Sequence, residues 1–202
     1  MRISLILFFF AIWLSACSPT SYQPAAGDIL FQDLASAQSQ AVKLATGSEY
    51  THCGIVFEVD DRFVVYEAVG PVRAIPLDQW IAQGVDARMV AMRLDTLYRY
   101  LTPRALEQMQ TVGESHFGKS YDAVFNWSDT QLYCSELVWK IFYEGFGLTL
   151  VSPRPLADYD LSHPAVKEKL TERYGDSIPL EEPVVSPGDL AGSKMLFTVY
   201  QD

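Results

Sequence analysis

The spacing of apolar residues changes several times along this 202-residue chain, and each change marks an element. Gly27-Asp28 reads as a turn, and Ile29-Leu30-Phe31 after it as a short strand. Ser39 to Ala45 places Ala41, Val42 and Ala45 at helical spacing until Gly47 stops it. Thr51 to Val59 and Phe63 to Val69 are β-prone runs on either side of Asp60-Asp61-Arg62, the pattern of a hairpin. In the first run His52, Gly54, Val56 and Glu58 share one face. Cys53, Ile55, Phe57 and Val59 share the other, which is the apolar, core-facing set. Arg88 to Leu94 alternates in the same way and predicts a third strand.

Three helices follow from the remaining periodicity. Thr102 suits an N-cap and Pro103 a first turn for a helix through Leu106, Met109 and Val112 that ends near Gly118. Leu137, Val138, Ile141, Phe142 and Phe146 recur at three- and four-residue intervals, so an amphipathic helix begins at or near Cys134. Pro164 to Tyr174 forms another, with Ser162 as its expected N-cap, inside a proline-rich final third. His116 then falls in the last turn of the Thr102 helix, where the dipole favours it, and His163 in the first turn of the Pro164 helix; both read as structural.

Nearly half of the chain is hydrophobic, enough for one sizeable core and too short for two. Its first segment belongs to no core. Met1-Arg2 and the apolar run from Ile3 to Leu14 have the layout of a secretory signal. Leu14-Ser15-Ala16-Cys17 is similar to a bacterial lipobox, which implies cleavage before Cys17 and a lipid on its thiol. Small residues before the cut also suit an ordinary signal peptidase, which would leave a soluble periplasmic protein. The expected organisation is a signal peptide over 1–16, a lipidated tether over 17–26 and one domain over 27–202. Ser18 in place of Asp resembles outer-membrane lipoproteins, so the expected location is the cell envelope, on the outer membrane facing the periplasm. Removing Arg2 with the signal leaves 14 basic against 25 acidic residues, a net charge of −11, which disfavours nucleic acid as a partner.

With Cys17 assigned to lipid, Cys53 and Cys134 remain. They could form one disulfide or carry chemistry. A cysteine at a helix start has its thiolate favoured by unpaired N–H groups, which can later hold an oxyanion, although a buried structural cysteine has the same placement. A histidine becomes a credible base only with an orienting partner. If the hairpin turn is Asp60-Asp61 alone, paired positions sum to 121, and Glu67 lies on the face of His52 one diagonal away. A three-residue loop would turn Glu67 to the opposite face. If His52 faces Cys134, Cys53 is directed away from it, which argues against the disulfide. Adjacent strand residues also cannot easily converge on one ion, and no CxxC spacing occurs, so no metal site is expected. No dinucleotide, phosphate-loop, zincin or serine-hydrolase motif is present, and no cofactor is expected.

Gly27-Asp28-Ile29-Leu30-Phe31, Tyr50-Thr51-His52-Cys53-Gly54-Ile55-Val56, Tyr66-Glu67-Ala68-Val69-Gly70-Pro71, Gly118-Lys119-Ser120-Tyr121-Asp122 and Tyr133-Cys134-Ser135-Glu136-Leu137-Val138 occur in that order. Together with Pro187-Gly188-Asp189-Leu190 they resemble the YiiX/YebB-like permuted papain-fold amidases of the NlpC superfamily, over nearly all of the mature chain. The histidine precedes the cysteine, as in the permuted group. The resemblance implies an α+β, circularly permuted papain-like fold: an antiparallel sheet packed against helices, with the nucleophile at a helix N-terminus. It also implies Cys134 as nucleophile, His52 as base and Glu67 as the third polar residue.

Acyl transfer follows from that resemblance, and the acyl group stays open. The first expectation is a cysteine peptidase or amidase cutting an amide in peptidoglycan stem peptides through an acyl-enzyme. The second keeps Cys134 and His52 and changes the substrate to a lipid ester or N-acyl amide, with the membrane reached through lipidated Cys17. The third is a non-catalytic envelope lipoprotein that binds through the same cleft.

Overall fold

The computed structural model describes residues 21–202; the signal segment and Cys17 lie outside them. Its centre is a six-stranded antiparallel sheet. β1 (Ile29–Gln32) pairs with β2 (His52–Val59) on one side and β5 (Val90–Leu94) on the other. β3 (Arg62–Glu67) and β4 (Arg73–Pro76) extend the sheet beyond β2, and a C-terminal strand, Leu196–Gln201, closes the β5 edge.

One face carries Ile29, Phe31, Cys53, Ile55, Phe57 and Tyr66 against α3 (Pro103–Ser115) and α4 (Cys134–Phe146). The other packs Leu30, Val56 and Val65 around Trp80 of α2 (Leu77–Gln83). Hence the expected core face of β2 is correct but is only half of the burial. Val56 is as buried as Ile55, because α2 covers the second face. α2 and β4 escaped prediction because elements of seven and four residues show too little of either period. Among the described residues no helix is long and apolar enough to cross a membrane.

The turn between β2 and β3 decides the register. Asp60 and Asp61 both have positive φ, 50° and 59°, as a two-residue type I′ turn requires. Ile55 therefore faces Tyr66 and Val59 faces Arg62, the sum of 121 expected for the short loop. Arg62, grouped with the loop in the sequence, is the first residue of β3.

α1 (Ala37–Thr46) is capped by Ser36, whose hydroxyl accepts from Ser39 N–H, and ends at Gly47 in the left-handed region. Two helix-end expectations are corrected. α5 (Pro164–Tyr174) is capped by His163, not Ser162: Pro164 occupies the first helical position, so the residue before it is the cap, and His163 Nδ1 accepts from Ala165 N–H at 3.2 Å. His116 follows the last turn of α3 and is buried. Burial, then the charges of Lys119 and Lys140, push its pKa down to about 4, so no cation sits on that ring to meet the dipole at pH 7.

α3 and α4 lie in close contact at Gly145, where a β-carbon would come within 2.6 Å of the Met109 backbone. Gly145→Val should lower the unfolding free energy by at least about 2 kcal/mol through overpacking. Urea denaturation measures this, and an unchanged midpoint would show that the helices can separate at little cost.

Candidate active site

Four polar residues far apart in the chain meet because each ends or begins its element. His52 opens β2, Glu67 closes β3, Arg73 opens β4 and Cys134 opens α4. The hairpin register sets Glu67 diagonal to His52, and its Oε2 lies 2.9 Å from His52 Nε2. Glu67 and Arg73 are direct cross-strand partners, and the guanidinium donates from Nε and Nη2 to Glu67 Oε1 at 2.9 and 2.8 Å. Both carboxylate oxygens are thus occupied in a residue with no exposed surface.

Burial alone would raise the Glu67 pKa. Its bonds and charge interactions with His52 and Arg73 outweigh this and hold it below the ordinary value. Trp80 stacks on the imidazole, ring centroids 5.6 Å apart and 28° between planes. Gly54 leaves room for that stack: a β-carbon there would meet Val65 at 2.4 Å and the Trp80 indole nitrogen at 3.2 Å.

With Nε2 committed to Glu67, Nδ1 is the ring nitrogen left for Cys134. That thiol is nearly buried on the first residue of α4. The N-cap, Tyr133, makes no side-chain cap, so the helix tip presents its N–H groups and positive end to the sulfur. Burial opposes a charge on His52, yet the thiolate and Glu67 raise its pKa to about 9. Cys134 moves the other way, well below the usual thiol: the Cys53 side chain lowers it most, burial opposes, and His52 and the Cys53 N–H lower it further. The pair is poised as thiolate and imidazolium.

Cys53 is fully buried on the core-facing side of β2, in the same large core cluster that contains Cys134, and both cysteines are free.

Two hollows meet at Cys134. One is mixed, holding His52, Ser36 and Gln83 beside Leu34, Ala68 and Val69; the other is apolar, walled by Val42, Phe125, Leu156 and Val184. Gln38, Thr51, Tyr121 and Cys134 line both, so they form one cleft. Gln38 Nε2 donates to the Tyr121 hydroxyl at 2.6 Å, which leaves the phenol proton free for another acceptor. Arg73, Gln38 and Tyr121 were not found from sequence. Only the arginine left a signal, a cation just past Gly70-Pro71 where a second hairpin can return it beside Glu67. Among the described residues no group of three or more His, Cys, Asp or Glu is arranged to hold a metal ion.

Residues 23–200 match the family described as permuted papain-like amidase enzyme, YaeF/YiiX, C92 family. The chain is 41% identical over 182 residues to the uncharacterized protein YiiX of Escherichia coli (strain K12), covering 90% of this chain and 89% of that one. The crystal structure of the metalloprotein yiiX from Escherichia coli O157:H7 superposes with a TM-score of 0.85 at 41% identity, over 90% of this chain and 99% of that chain.

Arg73→Met leaves buried Glu67 Oε1 without its partner, so it should lower stability and weaken the imidazolium by leaving Glu67 less firmly ionised. The acid midpoint of Cys134 alkylation by iodoacetamide should then rise, with Arg73→Lys intermediate. A profile identical to the wild type would show that Glu67 needs no second partner.

Proposed function

The chain belongs to the permuted papain-like amidases of the C92 family, and from that premise we propose that it is a cysteine hydrolase that cleaves an amide in cell-wall peptides. The observation that carries this reading is the line Arg73–Glu67–His52–Cys134, which ends on a thiolate at a helix N-terminus.

The steps follow from those positions. The Cys134 thiolate attacks the amide carbonyl carbon, and the oxygen that gains the electron pair is held by the first N–H groups of α4. His52 donates its Nδ1 proton to the departing amine as the carbon–nitrogen bond breaks, leaving a thioester. The neutral imidazole then takes a proton from water, which attacks the thioester and releases the acid and the thiolate. Glu67 keeps the ring oriented throughout and remains ionised. The Tyr121 O–H, freed by Gln38, faces the same cleft and is a second donor for the oxyanion.

The placement of the N-terminal segment supports a substrate outside the anchoring membrane. β1 starts at Ile29, while Gln32 at its other end pairs with His52, so tether and site lie at opposite ends of that strand. Arg93 donates to the Gln23 carbonyl and to Asp28 at the tether end. A lipid on Cys17 of an outer-membrane lipoprotein would then leave the cleft turned toward the wall. The apolar half of the cleft favours a second reading, hydrolysis of a lipid ester or N-acyl amide, because an acyl chain would fit against Val42, Phe125 and Leu156.

Amine release from purified wall fragments, run beside fatty acid release from lipids, separates the two. Cys134→Ala should abolish whichever activity exists, and retained activity would sink the hydrolase reading. The rate should hold across neutral pH and fall through about pH 9, where His52 loses the proton that the leaving amine needs. A rate that keeps climbing above that pH would exclude the imidazolium as acid.

A further inference from the structure

We propose that the loop Leu97-Tyr98-Arg99-Tyr100, with Arg104 beside it, docks on a lipid bilayer bearing anionic headgroups and holds the cleft facing away from that membrane. The three most exposed large apolar or aromatic side chains among the described residues all lie there: Leu97 at 88%, Tyr100 at 67% and Tyr98 at 52%. Single exposed apolar side chains are ordinary on a protein surface, but three within four positions form a patch that gains free energy when covered. Tyrosine suits the boundary of lipid and water, where its ring is buried and its hydroxyl stays wet.

Charge and position identify the occupant. The chain has 25 acidic against 15 basic residues, yet positions 96–104 hold Arg99 and Arg104 and no acid. Asp95, just before them, faces into the turn, where its Oδ1 accepts from Leu97 N–H at 2.9 Å. Arg99 lies over the Phe146 ring, 4.4 Å from its centroid, at the C-terminal end of α4. The loop leaves β5 at Leu94, beside the start of β1, where Met92 pairs with Ile29. Gly27 lies against it, since a β-carbon there would come within 2.6 Å of Leu101 Cδ1. The entering chain is fastened at this same end from Tyr22, whose hydroxyl donates to Asp28 Oδ2 at 2.7 Å. Cys17 is five residues before Tyr22, and five residues span at most about 18 Å. A lipid on Cys17 therefore brings the bilayer to the end of the domain where the loop protrudes. The acidic turn Asp60-Asp61 is at that end too, but β2 is two strands from β5, so an anionic surface repels the turn and tilts the domain onto the arginines.

The docking rests on the reading that Cys17 is lipidated, and it deepens the wall-facing part of the proposed function. α4 runs 13 residues from Cys134 to Phe146, roughly 20 Å, so contact at the Phe146 end keeps the nucleophile about that far from the headgroups. The test is hydrogen exchange, read by peptide mass, on the full chain purified from a bacterial membrane fraction. It is placed in vesicles of equal phosphatidylethanolamine and phosphatidylglycerol, or of phosphatidylcholine alone. Exchange over residues 96–101 should be slower on the anionic vesicles by at least about tenfold. Arg99→Glu with Arg104→Glu should remove that difference, and Leu97→Ser with Tyr100→Ser should give rapid exchange on both. Equal rates on the two vesicles, from a chain that stays bound to them, overturn the docking and leave the lipid anchor standing. Slow exchange that persists in the doubly Glu-substituted chain and grows with protein concentration makes a second copy the occupant and overturns it as well. A chain that leaves the vesicles altogether overturns anchor and docking together. Iodoacetamide alkylation of Cys134 in the same samples should match the wild type in every variant, so the hydrolase reading stands or fails separately.

Discussion

A carboxylate removed entirely from water must have both its oxygens hydrogen-bonded, and Glu67 meets this demand with groups from two other strands. The arrangement at the active end of the sheet depends on it. β4 must follow β3 closely enough to return Arg73 to the same carboxylate, and β2 must pair in the one register that brings His52 within reach. Trp80 then closes the ring from above, where Gly54 has no side chain to obstruct it. Burial makes the carboxylate costly unless paired, and the pairing fixes the imidazole orientation.

The four site residues occupy element ends, which suits their chemistry. Mid-strand and mid-helix backbone groups are spent on internal pairing, whereas the first turn of a helix has unpaired N–H groups and a strand's last residues leave the ladder. At one edge of the molecule the fold thus gathers a helix tip, a strand's first residues and two hairpin ends. Charge is distributed along this row as cation, anion, cation, anion: Arg73, Glu67, His52, Cys134. Each charge stabilises its neighbour, which is why the thiolate and the imidazolium persist where burial alone would neutralise both.

The cleft beside Cys134 is divided by character. Its mixed side holds His52 and the polar side chains of Ser36 and Gln83, and its apolar side offers contact without orientation. Membership of the permuted papain-like amidase family gives the coarse activity, and the walls of the cleft leave the acyl group to be measured.

Much of this is legible in the sequence. The hairpin, the α3 and α4 periodicities and the helix start at Cys134 depend on local spacing, and local spacing is written in the sequence; so was the diagonal of His52 and Glu67 once Asp60 and Asp61 were taken as the whole turn. The residues that escaped do so for one reason. Arg73, Gln38 and Tyr121 matter only through the packing of segments distant in the chain. Alternation along β2 correctly separates His52 from Cys53, and only the tertiary approach of α4 to β2 brings Cys134 into one cleft with His52. The sequence by itself determined the elements and the chemical types available, because propensity, turn chemistry and periodicity act over a few residues. The tertiary structure alone decided which of those groups share a proton, because electrostatic contact depends on distance in space rather than along the chain.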